Sequence, residues 1–262
     1  MTSKTEPRLL CYDLGEGVTA FSTTRHGGVS EANYASFNIN PYCGDSADHV
    51  ARNRQLLADR LGLPASHIVL PHQVHGIEHR AVAPELLDMS DAVRDKILDG
   101  VDMVTTSMTG VCIGVSTADC IPVLLYDPVA RATAAIHAGW RGTLQRICQR
   151  AVMAMQLHYG TTLDRLRAVV GPGISLANFE VGQEVYDQFL QAGFDLTETA
   201  EWHTKWHLDL PGINIRELIG CGVAPEHIHH AGICTFDHAD DYFSARRLGI
   251  DSGRIYTGIL MQ

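Results

Sequence analysis

"DCIPVLLYDPVARATAAIHAGWRG", residues 119–142, holds two apolar runs on either side of a turn. Asp127 followed by Pro128 suits the first two positions of a type I turn, so the stretch predicts a β-hairpin. With the turn centred between Pro128 and Val129, Tyr126 would face Arg131, Leu124 would face Thr133, and Cys120 would face His137. Directly opposed residues carry Cβ atoms about 4.5–5.5 Å apart on one sheet face, which lets a thiolate and an imidazole share one metal ion. The other face would pair Ile121 with Ile136, Val123 with Ala134 and Leu125 with Ala132, all apolar and so part of the core. Pro122 has no N–H to give a ladder and predicts an edge strand or a bulge. A bulge would shift the register by one and separate the pair.

Working outward, "GVCIGVS" (110–116) reads as a preceding strand, and "TLQRICQRAVMAMQLHYG" (143–160) as one long helix. Its apolar face is Leu144, Ile147, Cys148, Ala151, Val152 and Met155, with Thr143 as N-cap and Gly160 as C-cap. "DSADHVARNRQLLADRLGLP" (45–64) is a second helix, carried by Val50, Arg54, Leu57 and Leu61 and stopped at Gly62–Pro64. "GVTAFSTTRHGGVS" (17–30) is a strand ending in a glycine turn, and "HIVLPHQVHG" (67–76) a short strand entering a histidine-containing turn. A strand "LRAVVG", helices near 181–192 and 213–221, and strands near 227–235 and 254–261 complete the pattern. Hairpins mixed with helix-separated strands predict an α/β fold with a mixed sheet (α+β), a single compact domain over residues 1–262.

The 262 residues carry a net charge of −10, which argues against a nucleic-acid partner, although a few local arginines could still hold a small anion. No segment reaches the ~18 apolar residues of a membrane span, and "MTSKTEPRLLCYD" lacks the apolar centre of a secretory signal. A cytoplasmic protein with no membrane partner is expected. The 7 cysteines are scattered and odd in number, so neither a disulfide scaffold nor a zinc finger is indicated. A buried cysteine and a strand-end histidine would be an ordinary reading of Cys120 and His137. Asp119 beside the cysteine, and the glycines of "AGWRG" after the histidine, bring the reading as a site closer to that ordinary one. A third ligand would come from His72, His75 or the nearby His79, giving His/Cys/His with an open fourth position, the arrangement of a catalytic zinc.

"STTRHGGVS", "SFNIN", "HQVHG", "TADCIPVLLYD", "AAIHAGWRG", "FEVG" and "FSARRLGIDSGR" run in order from about residue 18 to 258. In series they resemble the laccase-domain family, described variously as multicopper polyphenol oxidase, peptidoglycan editing factor and purine nucleoside phosphorylase. The resemblance implies a sandwich-like α/β domain with a metal at the floor of a pocket, held by His75, Cys120 and His137. It also implies phosphorolysis of purine nucleosides (adenosine, inosine, guanosine, methylthioadenosine) and deamination of adenosine. Phe179 stands where many members carry a tyrosine.

Zinc on those ligands, with copper as the alternative, would lower the pKa of its water to near 7 for attack on the amino-bearing purine carbon. Asp119, or else Glu180, would move the proton. For phosphorolysis, Arg25, Arg141 and Arg247 are candidate clamps on phosphate, Arg141 acting at the reacting centre, with Asn38 of "SFNIN" as a further substrate contact. Trp140 could stack on the purine. Phenol oxidation is the weaker reading, since "HIH" (227–229) is the only H-x-H and has no cysteine partner at suitable spacing. A muropeptide-precursor substrate and a non-enzymatic metal- or nucleotide-binding module are the remaining alternatives.

Overall fold

Two β-sheets face one another, and each has helices on its outer side. The computed structural model describes residues 6–262, so the first five residues of the N-terminal stretch read above lie outside it. The larger sheet has six strands in the order β13 (Ile228–His230), β9 (Arg167–Val170), β7 (Ile121–Asp127), β8 (Ala132–Ala138), β5 (Val101–Thr106) and β4 (Glu78–Ala81). The second has five, in the order β1 (Leu9–Tyr12), β2 (Val18–Thr23), β14 (Ile255–Met261), β6 (Cys112–Thr117) and β3 (Ile68–Val69). A small third sheet joins β10 (Glu180–Val181), β12 (Trp206–Leu208) and β11 (Ala200–Trp202).

Alternation along the strands builds the layers. In β7, Ile121, Val123 and Leu125 pack against α5 (Ile147–Tyr159) and α7 (Leu210–Cys221), whereas Leu124 and Tyr126 pack against Ile113 and Val115 of β6 in the facing sheet. Phe21, Cys112, Tyr256 and Leu260 point out of that second sheet onto α1 (Ala47–Leu61). Both faces of the β7–β8 hairpin are therefore buried, which is why its strands carry almost no polar residues. The mixed α/β class expected from the sequence is the one observed.

The hairpin forms, but two residues out of the expected register: Pro122 lies opposite His137, Leu124 opposite Ala135 and Tyr126 opposite Thr133. The loop is longer than a two-residue turn because the Asp127 carboxylate accepts from the N–H groups of both Val129 (2.8 Å) and Ala130 (3.0 Å), and Arg131 takes a left-handed φ of 48°. Cys120 thus does not face His137 directly. Pro122 also sits in a central strand with an unbroken ladder, neither on an edge nor at a bulge. Its missing donor falls on the side of β9, beyond the last paired residue, where its carbonyl accepts from Gly171 N–H at 2.9 Å.

The long helix after β8 is two helices, α4 (Trp140–Leu144) and α5, broken where Arg146 adopts a φ of 60°. Thr143 is consequently not an N-cap but lies inside α4, buried against Asn214. Gly160, at φ 68°, ends α5 as expected, and Gly62 does the same for α1. Glu180 belongs to strand β10, and α6 (Gln183–Gln191) begins only after Gly182. The segment 78–106, unassigned from the sequence, supplies β4, β5, α2 (Pro84–Asp88) and α3 (Asp91–Ile97). The last helix is α8 (Ala245–Leu248). Among the described residues, no helix is long and apolar enough to cross a membrane.

Candidate metal centre

The chain passes from the second sheet to the first in three residues, Ala118–Cys120, between β6 and β7. Asp119 makes the turn with φ at 88°, a conformation costly for a side chain with a Cβ. Its carboxylate holds the turn, one oxygen accepting from the Thr235 hydroxyl (2.8 Å) and the other from the Arg246 N–H (2.7 Å). Cys120 is thereby set at the mouth between the two sheets.

His137 arrives from the end of β8 and is buried. Its Nδ1 donates to Asp102 Oδ1 at 2.7 Å, which leaves Nε2 free toward the cysteine. Asp102, fully buried in β5, also accepts the N–H groups of Val74 (3.2 Å), His75 (3.0 Å) and Gly76 (2.7 Å). That ring of donors curls the chain around His75, whose φ is 64°. One carboxylate therefore fixes both histidines, the first through its ring and the second through its backbone.

The ligand atoms of His75, Cys120 and His137 all lie within 4.8 Å of one another, and they form the only such histidine, cysteine and acid cluster among the described residues. His72 and His79 are not part of this cluster: His72 lines the same pocket but pairs with Asp99 at 2.6 Å, and His79 bonds Thr105 at 2.8 Å.

Electrostatics favour the ligating form of the sulfur. Burial would raise the Cys120 thiol, but the charge and hydrogen bonds of His137 and His75 outweigh it and bring it down to about 6. Burial likewise opposes charge on His137, and the Cys120 thiolate with Asp102 reverses this, raising it to about 9. For Asp102, the His137 and backbone donors overcome burial and hold the carboxyl below its ordinary value. Backbone space fits a shared ion too. A Cβ on Gly139 would meet His75 Cδ2 at 3.0 Å, Cys120 Sγ at 3.1 Å and His137 Cε1 at 3.8 Å, so a side chain there would push the donors apart. A thiolate and two imidazoles around such a cradle suit zinc or copper.

The three residues line a pocket of about 900 Å³. The model of the family described as multi-copper polyphenol oxidoreductase laccase matches residues 19–262. The chain belongs to this laccase family. Among curated relatives, a purine nucleoside phosphorylase of Bacteroides thetaiotaomicron is 44% identical over 247 residues, covering 93% of this chain and 92% of that protein. Adenosine deaminase RL5, from an unknown prokaryotic organism, is 40% identical over 248 residues, covering 93% and 94%. Of solved structures, YlmD from Geobacillus stearothermophilus superposes with a TM-score of 0.87 at 30% identity, covering 96% of this chain and 94% of that one. The Bacillus licheniformis hypothetical protein YfiH gives a TM-score of 0.90 at 28% identity, covering 98% and 97%.

In this laccase-family chain, Asp119 and Trp140 join the three donors in the pocket wall. The other candidates stand outside that wall. Arg25 is spent on structure, donating to Ala35 O (2.9 Å) and Ala239 O (2.6 Å) over the Phe243 ring. Asn38 is fully buried and bonds Asp45, Asn40 and the Arg254 N–H. Arg141 stacks on the Trp140 ring at 4.3 Å, and Arg247 on Phe236 at 5.1 Å. Glu180 takes Lys205 at 2.7 Å, and that hydrogen bond holds its carboxyl down.

Arg246 and Arg254 line the pocket instead, with Tyr42, Gln73 and Ser116 on other walls. "SARRLGIDSGR" contains all three arginines of that segment, and only folding tells which of them face inward. Asp102 carried a readable signal, a lone acid inside the apolar run "VDMV", because a buried charge demands a partner.

Proposed function

We propose that the protein is a zinc-dependent purine nucleoside enzyme that cleaves nucleosides by phosphorolysis and deaminates adenosine, with His75, Cys120 and His137 as the metal ligands. The observation that carries this reading is the convergence of those three donors in the lining of a pocket large enough for a nucleoside and a phosphate. Relatives named purine nucleoside phosphorylase and adenosine deaminase support the substrate class. Bound there, zinc would supply Lewis acidity and an activated water.

The chain's own residues have distinct tasks. Asp102 keeps His137 in the Nδ1–H tautomer, so that Nε2 presents its lone pair. Arg246 and Arg254 line the pocket and are our candidates for holding phosphate, which would compete with the bonds their guanidinium groups now make to Glu180 O and to the Ser252, Gly253 and Ile250 carbonyls. In phosphorolysis a phosphate oxygen bonds to C1′ as the C1′–N9 bond breaks, and the purine leaves with the electron pair and takes up a proton. In deamination the oxygen of water bonds to C6 as the C6–N bond breaks, and the amino group takes up a proton and leaves as ammonia. Asp119 is our candidate to hold the proton in either case; its present bonds to Thr235 and Arg246 place it on the same wall as the arginine. Arg25, Asn38, Arg141, Glu180 and Arg247 act through the scaffold in this account.

A single donor cluster among the described residues supports a mononuclear site over the several coppers of a multicopper oxidase. Seven unpaired cysteines support a cytosolic location. Metal analysis, together with a nucleoside panel assayed with and without phosphate, tests the reading. Release of free base only with phosphate, and of inosine from adenosine without it, is expected. Bound metal with no purine product from any nucleoside would overturn it.

A further inference from the structure

A second cleft, of about 510 Å³, lies between α1, the β3 strand and α3. Its walls are mostly apolar, with Val50, Leu70 and Leu98 among them, and Tyr42 separates it from the metal pocket, lining both. Arg54 of α1 lines this cleft, and its guanidinium makes one hydrogen bond, NH2 donating to Ile68 O at 2.8 Å. No carboxylate pairs with it among the described residues: Asp95 acts on it only through space, and Asp91 is taken by Arg94. Burial dominates the surroundings of Arg54 and lowers its pKa. Arg54 is half-buried, and an arginine partly withdrawn from water is ordinarily paired, because desolvating an unmatched charge is costly. The planar fork offers its remaining N–H groups to an oxygen pair.

We infer that this cleft is a binding site for a small monocarboxylate with an apolar body, its carboxylate on the Arg54 fork and its body against Val50, Leu70 and Leu98. The geometry selects a monoanion over a dianion. Two arginines, Arg54 and Arg94, and two carboxylates, Asp91 and Asp95, line the cleft, with Arg94 already paired to Asp91, so there is no surplus positive charge for a dianion. The walls reward an apolar tail, which inorganic phosphate lacks. This site stands apart from the metal centre and does not depend on the nucleoside reading.

Titration of butyrate, benzoate and inorganic phosphate into the whole protein tests the inference, read by calorimetry and by methyl NMR. Both carboxylates are expected to saturate and to shift the methyls of Val50, Leu70 and Leu98, leaving that of Ile174 in the metal pocket unmoved. Arg54→Gln, which retains a donor for Ile68 O, should bind about tenfold more weakly or worse. Ala51→Trp, at an exposed position on the cleft wall, should block binding without disturbing the core. Absence of saturable carboxylate binding, shifts confined to Ile174, or undiminished binding in both variants would overturn the site. Tighter binding of phosphate than of either carboxylate would overturn the ligand class.

Discussion

Gly139 and Asp102 decide whether three donors become one site. A methyl at 139 would press on His75 and Cys120 together, so Gly139→Ala should weaken metal binding by about tenfold or more while the far-ultraviolet circular dichroism stays unchanged. Competition with a chromophoric chelator reads this directly. Asp102→Asn keeps the side chain's shape but sets an amide against either the His137 Nδ1–H or the backbone donors. Loss of that outer partner should cost 10–100-fold in metal affinity on the usual scale, and an unchanged affinity would remove Asp102 from its orienting role. Sequence reading brought Cys120 and His137 together and marked the glycines that follow, but it left the third histidine to the family resemblance and missed Asp102. What distinguishes Asp102 is its contacts with His75 and His137, both distant along the chain, and what distinguishes Gly139 is its closeness to all three donors at once.

At the level of elements, the β7–β8 loop sets where Cys120 stands. Asp127, buried and bonded to two backbone N–H groups, closes the turn. Asp127→Ala should lower unfolding free energy by about 1–3 kcal/mol in denaturant titrations. The strands were legible because both carry dense apolar runs, but their register was not. The capping carboxylate and the left-handed Arg131 lengthen the loop; Asp127 announced a turn, but nothing in the sequence announced its length or the Arg131 conformation. The slip is even, so Cys120 and His137 keep the same face and still converge. Likewise β6 and β7 read as neighbours yet belong to different sheets, because Asp119 turns the chain where a glycine would ordinarily be expected. Where α5 meets α7, burial raises Glu217 to about 7, with Arg146 only partly offsetting it. Between about 4.5 and 7 the folded chain keeps a proton that the unfolded chain has lost. Stability from this group is therefore full below that window and lost as pH rises through it, by on the order of 3 kcal/mol. Glu217→Gln should remove the slope, so melting curves of the two proteins should diverge in the variant's favour from pH 5 to pH 8. Parallel behaviour across that range would contradict the assignment.

Across the whole molecule, the site exists because two sheets are stacked and a three-residue crossing leaves their shared mouth open. Helices on both outer faces bury the sheets, and at that mouth His75 from one sheet's exit meets Cys120 and His137 from the other. Hydrophobic periodicity gave the α/β class, but the layering depends on which strands pair, and that is a long-range choice. The claim that this mouth is a metal-dependent nucleoside site is tested most directly by comparing wild type with Cys120→Ala for bound zinc and for adenosine turnover with and without phosphate. The account predicts about one zinc per wild-type chain, adenine released only with phosphate, and loss of both metal and turnover in the variant. Full turnover by the metal-free variant would contradict it.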